Sequence, residues 1–207
     1  RCGIGTFTND LFNSLIDISG EEFPSGQALR VFAINNLSQE IDYGDEVVFE
    51  INAGNQRDYR RAADYINISS SRVISIQHEF GIYGGKDGEY LLNFLQRLRK
   101  PTVTTLHTVL KNPTDHQKEV LTEICRKSTS LVILARKAKE LLTGIYSVPE
   151  EKINMIPHGT PDVPFLDTTY YKEEFGFEGR KTILTFGLLN PNKGIEVGIA
   201  QIERVVK

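Results

Sequence analysis

Strand and helix signals alternate along this chain, and that alternation predicts an α/β fold built on a mostly parallel sheet with helices on both faces. Three observations carry the expectation. Short strand-like runs such as Thr102 to Leu106 and Ser130 to Leu134 recur along the sequence. Between them lie segments with apolar residues at helical spacing, as in Leu91, Phe94, Leu95 and Leu98. The composition is globular: of 207 residues, 40% are hydrophobic and 25% charged, which excludes disordered, collagen-like and disulfide-scaffold chains.

In order, Cys2-Gly3-Ile4-Gly5 leads into a helix with Phe7, Leu11, Leu15 and Ile18 on one face. Leu29 to Asn35 and Glu46 to Ile51 read as strands, and Asp58 to Ile66 as a polar helix facing inward through Ala62, Ala63 and Ile66. Arg72 to Gln77 is a strand, followed by the glycine-rich loop Gly81-Ile82-Tyr83-Gly84-Gly85. Asp87 is placed to N-cap the next helix. Pro101 opens the strand Thr102 to Leu106; a helix over Asp115 to Arg126, the strand Ser130 to Leu134 and the helix Arg136 to Tyr146 follow. Ile153 to Ile156 is a short strand ending at Pro157-His158-Gly159.

A boundary is expected there. Residues 1–160 form a first Rossmann-like domain, and 161–180 a linker with two prolines and a short aromatic-acidic helix from Tyr170 to Phe177. Residues 181–207 begin a second α/β domain: strand Lys181 to Phe186, turn Gly187 to Gly194, then an amphipathic helix. The glycine turn at the start has no strand before it and the last helix nothing after it, so the chain reads as a fragment of a longer protein. The interface of two such domains is a usual place for a ligand.

Charge and cysteines narrow the class. Lys and Arg number 24 against 27 Asp and Glu, a net charge of −3, which argues against a dedicated nucleic-acid binder. Two cysteines are too few for a stapled secreted fold, and no apolar run approaches the roughly 18 residues of a membrane span. A cytoplasmic protein is the expectation.

Open α/β sheets bind ligands at the carboxyl ends of their strands. Three of the four histidines fall there: His78, His107 and His158 each follow a strand, and only His116 lies in a helix. One such histidine is most simply a satisfied loop residue; three on one edge point to a site. The second signal is glycine turns ahead of helices, at Gly3 and Gly5 and again at Gly187 and Gly194, where free N–H groups and the helix dipole suit an anion. Lys193 stands at the mouth of the second, where an ammonium can reach a phosphate. Tight turning explains either alone; two together suit a nucleoside diphosphate. A metal at His78, Glu79 and His107 or His158 lacks the paired histidines or cysteines that secure a zinc reading, and no G-x-S-x-G elbow supports a serine triad.

Arg1-Cys2-Gly3-Ile4-Gly5-Thr6-Phe7-Thr8, Gln77-His78-Glu79-Phe80-Gly81, Thr105-Leu106-His107-Thr108-Val109, Ile156-Pro157-His158-Gly159 and Phe186-Gly187-Leu188-Leu189 with Asn192-Lys193-Gly194 together resemble a bacterial branch of the family 4 (group 1) glycosyltransferases. The resemblance implies the GT-B architecture, two Rossmann-like domains with parallel sheets, and transfer of a sugar from a nucleotide donor with retention and without a catalytic metal or other cofactor. It places Gly3, Gly5, Gly187, Asn190, Lys193 and Gly194 at the donor, with Lys193 offsetting charge on the leaving diphosphate. His107 matches the histidine near the transferred sugar; Gln77, His78 and Glu79 would line the acceptor side, and His158 another part of the cleft. Two departures stand out. Leu188 replaces a frequent arginine, and the Glu-x7-Glu donor motif of the family is expected beyond the last residue of this sequence.

The expected partners are a nucleotide sugar, with mannose or glucose as guesses from family habit, and a glycan or lipid-linked acceptor. Transient membrane-surface contact through Arg97 to Lys100 and Arg136 to Lys139 competes with the simpler reading of a solvated basic face. A GT-B phosphorylase, a nucleotide-sugar epimerase and a non-catalytic nucleotide- or glycan-binding protein stay open as alternatives.

Overall fold

A computed structural model of the chain describes residues 3–22, 29–36, 41–160, 162–185 and 194–205. It separates into two compact units, Arg1–Gly159 and Thr160–Lys207. The first is α/β with parallel sheets, Rossmann-like in character. Helix α1 (Gly3–Glu22) precedes a two-stranded parallel sheet of β1 (Val31–Asn35) and β2 (Val47–Asn52). Helix α2 (Gln56–Ile68) leads to a four-stranded parallel sheet in sequence order: β3 (Ile74–His78), β4 (Thr102–Leu106), β5 (Ser130–Ile133) and β6 (Ile153–Met155). Helices α3 (Leu91–Arg97), α4 (Asp115–Lys127) and α5 (Arg136–Tyr146) are the crossovers. The expectation of helices on both faces is not met by these crossovers: a sheet that adds strands in one direction by right-handed crossovers places its helices side by side on one face. The packing follows that rule, with α2 against α3, α3 against α4 and α4 against α5.

Two apolar clusters hold this layer to the sheets. Tyr59, Ala62, Ala63 and Ile66 of α2 meet Leu91, Phe94 and Leu95 of α3 over Ile51 and Ile76. Leu121 and Cys125 of α4 meet Leu142 and Tyr146 of α5 over Leu106, Leu131 and Ile133. The small Ala62 and Ala63, both fully buried, let α2 approach closely. The buried Thr104 and Ser128 hydroxyls are paired with each other at 2.7 Å, and Ser128 also donates to the Ile124 carbonyl at 2.8 Å. The ends of α4 follow from its sequence. Thr114 and Gln117 form a reciprocal capping box, and Arg126 and Lys127 complement the helix dipole in the last turn.

Two further expectations are corrected, at Asp87 and at residues 181–185. Asp87 caps no helix: it lies in a 3-10 turn, Lys86–Gly88, and α3 starts at Leu91 behind Tyr90 with no side-chain cap. Its carboxylate is engaged by His116 instead, a charge-assisted bond stronger than an exposed cap. The apolar stripe of α1 is half-buried at Phe7 and Leu11 but exposed at Leu15 and Ile18. Residues 181–185, expected to begin a strand, form none. A strand needs a neighbour to take its backbone groups, and among the described residues of the second unit there is no other strand.

The second unit contains α6 (Thr168–Glu174) and α7 (Ile195–Val205). Asp167 caps α6, accepting from the Thr169 N–H at 2.8 Å. Gly194 opens α7 at φ 60°, its carbonyl accepting from the Gly198 N–H at 3.1 Å. No helix among the described residues is long and apolar enough to cross a membrane.

One glycine in the first unit is dictated by backbone contact. A Cβ on Gly84 would overlap the Ala53 carbonyl oxygen and approach the Tyr90 ring at 2.9 Å. The Gly84 N–H also donates to the Tyr59 hydroxyl at 3.0 Å, and that hydroxyl donates to the same Ala53 carbonyl at 3.1 Å. Gly84→Ala is therefore expected to destabilise the first unit by about 1–3 kcal/mol, the range for overpacking, read by urea unfolding. An unchanged midpoint would show that this approach is not tight.

Candidate functional site

Parallel register brings the carboxyl ends of the strands together. His78 pairs with Leu106, Leu106 with Ile133, and Ile133 with Met155, so Glu79, His107 and the segment Ile156–His158 leave the sheet along one edge. The His107 N–H continues the ladder by donating to the His78 carbonyl at 3.0 Å.

The side chains there converge. The rings of His107 and His158 lie 6.4 Å apart, and Phe7 of α1 stands edge-on to both, at 4.7 and 5.7 Å. Phe7 sits one turn into α1, so Gly3 and Gly5, in the first turn of that helix, lie close along the chain to the same edge. They are helical residues rather than a preceding turn.

His107 is fixed by its neighbour. Its Nε2 bonds Gln77 Oε1 at 2.9 Å. An amide oxygen only accepts, so Nε2 carries the hydrogen and Nδ1 is left as an acceptor. Burial, and next the nearby His158, hold His107 below the usual histidine range, against an upward pull from Glu79. The ring is thus neutral near pH 7, with a defined tautomer. Glu79 is equally constrained: one oxygen accepts from the Thr108 hydroxyl at 2.5 Å and the other from the Phe80 N–H at 3.1 Å.

His78 stands apart from these. It has no exposed surface, lying edge-on to Phe80 and stacked at 6.0 Å on Tyr83. Among the described residues neither ring nitrogen has a hydrogen-bond partner. Burial, reinforced by His107, lowers its pKa to about 4, so it is neutral. His78 therefore underlies the edge, whereas Gln77, Glu79, His107 and the exposed His158 border it.

Gly194 opens α7 in the second unit; Gly187, Leu188, Asn190 and Lys193 lie outside the described residues. Among the described residues no group of three or more His, Cys, Asp or Glu side chains is placed to hold a metal. A separate polar groove of about 470 Å³ lies between α2 and α3, lined by Arg60, Asp64, Asn67, Asn93, Arg97 and Arg99 among others. Leu98 and Arg99 precede β4, so the groove reaches the opposite, amino edge of the sheet.

Sequence reasoning missed two features. Phe7 is visible as one apolar residue of an amphipathic helix, with nothing to mark its histidine contacts. His116 appears as a solitary helical histidine, yet both its ring nitrogens meet carboxylates, of Asp87 and Glu89. No local spacing could have announced partners 29 and 27 residues away.

No protein-family model matches this chain, and no curated protein matches it.

Proposed function

We propose that this chain belongs to a retaining glycosyltransferase of the GT-B fold, moving a hexose from a nucleotide-diphosphate donor to a glycan or lipid-linked acceptor. The observation that carries the reading is the convergence of Gln77, Glu79, His107 and His158 at the carboxyl edge of a parallel sheet, beside the glycine-led start of α1. Neutral His107, with Nδ1 free to accept, suits a hydrogen bond from a sugar hydroxyl. Glu79, held by Thr108 and the Phe80 N–H, can accept from an acceptor hydroxyl and orient it. Lys193, Gly187, Asn190 and Gly194 take the diphosphate, the lysine offsetting the charge that develops as the nucleotide leaves. Neither metal nor other cofactor takes part in this scheme.

The test is a calorimetric titration of the full-length protein with GDP, UDP and ADP, each with and without EDTA. Tight binding of one nucleotide, unaffected by EDTA, is expected and names the donor base. Failure of all three, or binding abolished by EDTA, would overturn the reading.

A further inference from the structure

The segment between β3 and α3 covers His78. Phe80 and Tyr83 supply the two rings against it, and the Tyr83 hydroxyl donates to the Gln77 carbonyl at 2.8 Å. The segment is tightly turned, with Gly85, Asp87 and Gly88 all in the left-handed region at φ 80°, 53° and 78°. Asp tolerates that conformation better than most residues, though less well than Gly, and contacts from outside the loop add to its hold.

The holding contacts come from α4. His116 Nδ1 lies 2.8 Å from Asp87 Oδ2, His116 Nε2 lies 3.1 Å from Glu89 Oε2, and Gln117 Nε2 donates to Asp87 Oδ1 at 3.3 Å. Ionised carboxylates only accept hydrogen bonds, and a neutral imidazole has one N–H. Both bonds therefore form together only when the ring is an imidazolium.

We propose that His116 is a positioning residue: as an imidazolium it bridges Asp87 and Glu89 and so latches the loop of residues 81–90 over His78, next to Gln77 and Glu79. Its functional meaning rests on the proposed transfer site; its physical content does not. The surrounding charges favour the bridge. Asp87 and then Glu89 hold His116 above the ordinary histidine range, against partial burial and Lys86. His116 in turn holds Asp87 below the usual carboxylate range. The sign follows. The latch is fully present below the unfolded histidine value, about 6.5, and is lost as pH rises through the raised folded value. At the acid end the Asp87 arm persists until that carboxylate protonates, below its ordinary range. The loop opens on the alkaline side.

The experiment is hydrogen exchange on the ligand-free full-length protein, corrected for intrinsic exchange, between about pH 6 and about pH 9. Amides of residues 81–90 are expected to exchange at least about tenfold faster at the upper pH, while those of β4 and β5 hold constant. His116→Gln should exchange at the fast rate throughout. Asp87→Asn, which keeps a residue tolerant of positive φ, should return the NMR pKa of His116 toward about 6.5. Exchange in the wild type that is flat with pH, or a His116 pKa at or below the ordinary value, overturns the latch even if the variants unfold. Because no substrate is present, a flat profile leaves the transferase reading standing, and absence of nucleotide binding leaves the exchange result standing.

Discussion

His107→Ala is expected to lower turnover at least tenfold, about 1.4 kcal/mol of transition-state stabilisation. Lys193→Ala should do the same for a different reason. His107 presents one acceptor nitrogen in a fixed direction because Gln77 occupies the other. Removing the ring loses that acceptor and the contact with Phe7. In the proposed scheme Lys193 instead opposes charge that grows as the diphosphate departs, so its loss is expected to fall on kcat more than on donor binding. Initial rates with a matched donor and acceptor would separate the two effects. Wild-type turnover in both variants would sink the transferase assignment.

Acidification from about pH 7 to about pH 4 is expected to cost about 3 kcal/mol of folding stability through His78 alone. The folded ring has its pKa lowered to about 4 by burial, whereas the unfolded ring titrates near 6.5. Above 6.5 both states are neutral and nothing is lost. Below it the unfolded chain takes up a proton that the folded chain refuses, so stability falls until the folded ring is also charged. That is a large part of the roughly 5–15 kcal/mol of a typical domain. His78→Leu puts an uncharged side chain in the same fully buried place and should flatten the acid limb relative to wild type. Carboxylate contributions are common to both proteins and cancel in the comparison. Parallel denaturant midpoints for the two across this pH range would contradict the assignment of His78 as a buried neutral histidine.

Periodicity made much of the first unit legible. Thr102–Leu106 and Arg136–Tyr146 have the expected bounds, the first as a β-branched run opened by Pro101 and the second as a run with apolar residues at helical spacing. The convergence of His107 and His158 was legible too, since strand ends in a parallel sheet share one edge. What stayed hidden depends on contacts distant in sequence. Asp87 has the chemistry of an N-cap, and only the fold shows its carboxylate drawn to His116 on α4. His78 reads like the other two histidines, but the Phe80 and Tyr83 rings remove it from the surface. Residues 181–185 have strand composition, yet a strand is a property of a pair.

Product stereochemistry tests the central claim most directly. The full-length protein would be incubated with the nucleotide sugar whose base it binds and with a panel of glycan and lipid-linked acceptors. The anomeric configuration of the new glycosidic bond would be read by NMR. The proposed site predicts an acceptor-dependent product, formed in EDTA and without inorganic phosphate, in which the donor's anomeric configuration is retained. An inverted linkage, a product that requires phosphate, donor epimerised without an acceptor, or nucleotide binding with no transfer across the panel would contradict it.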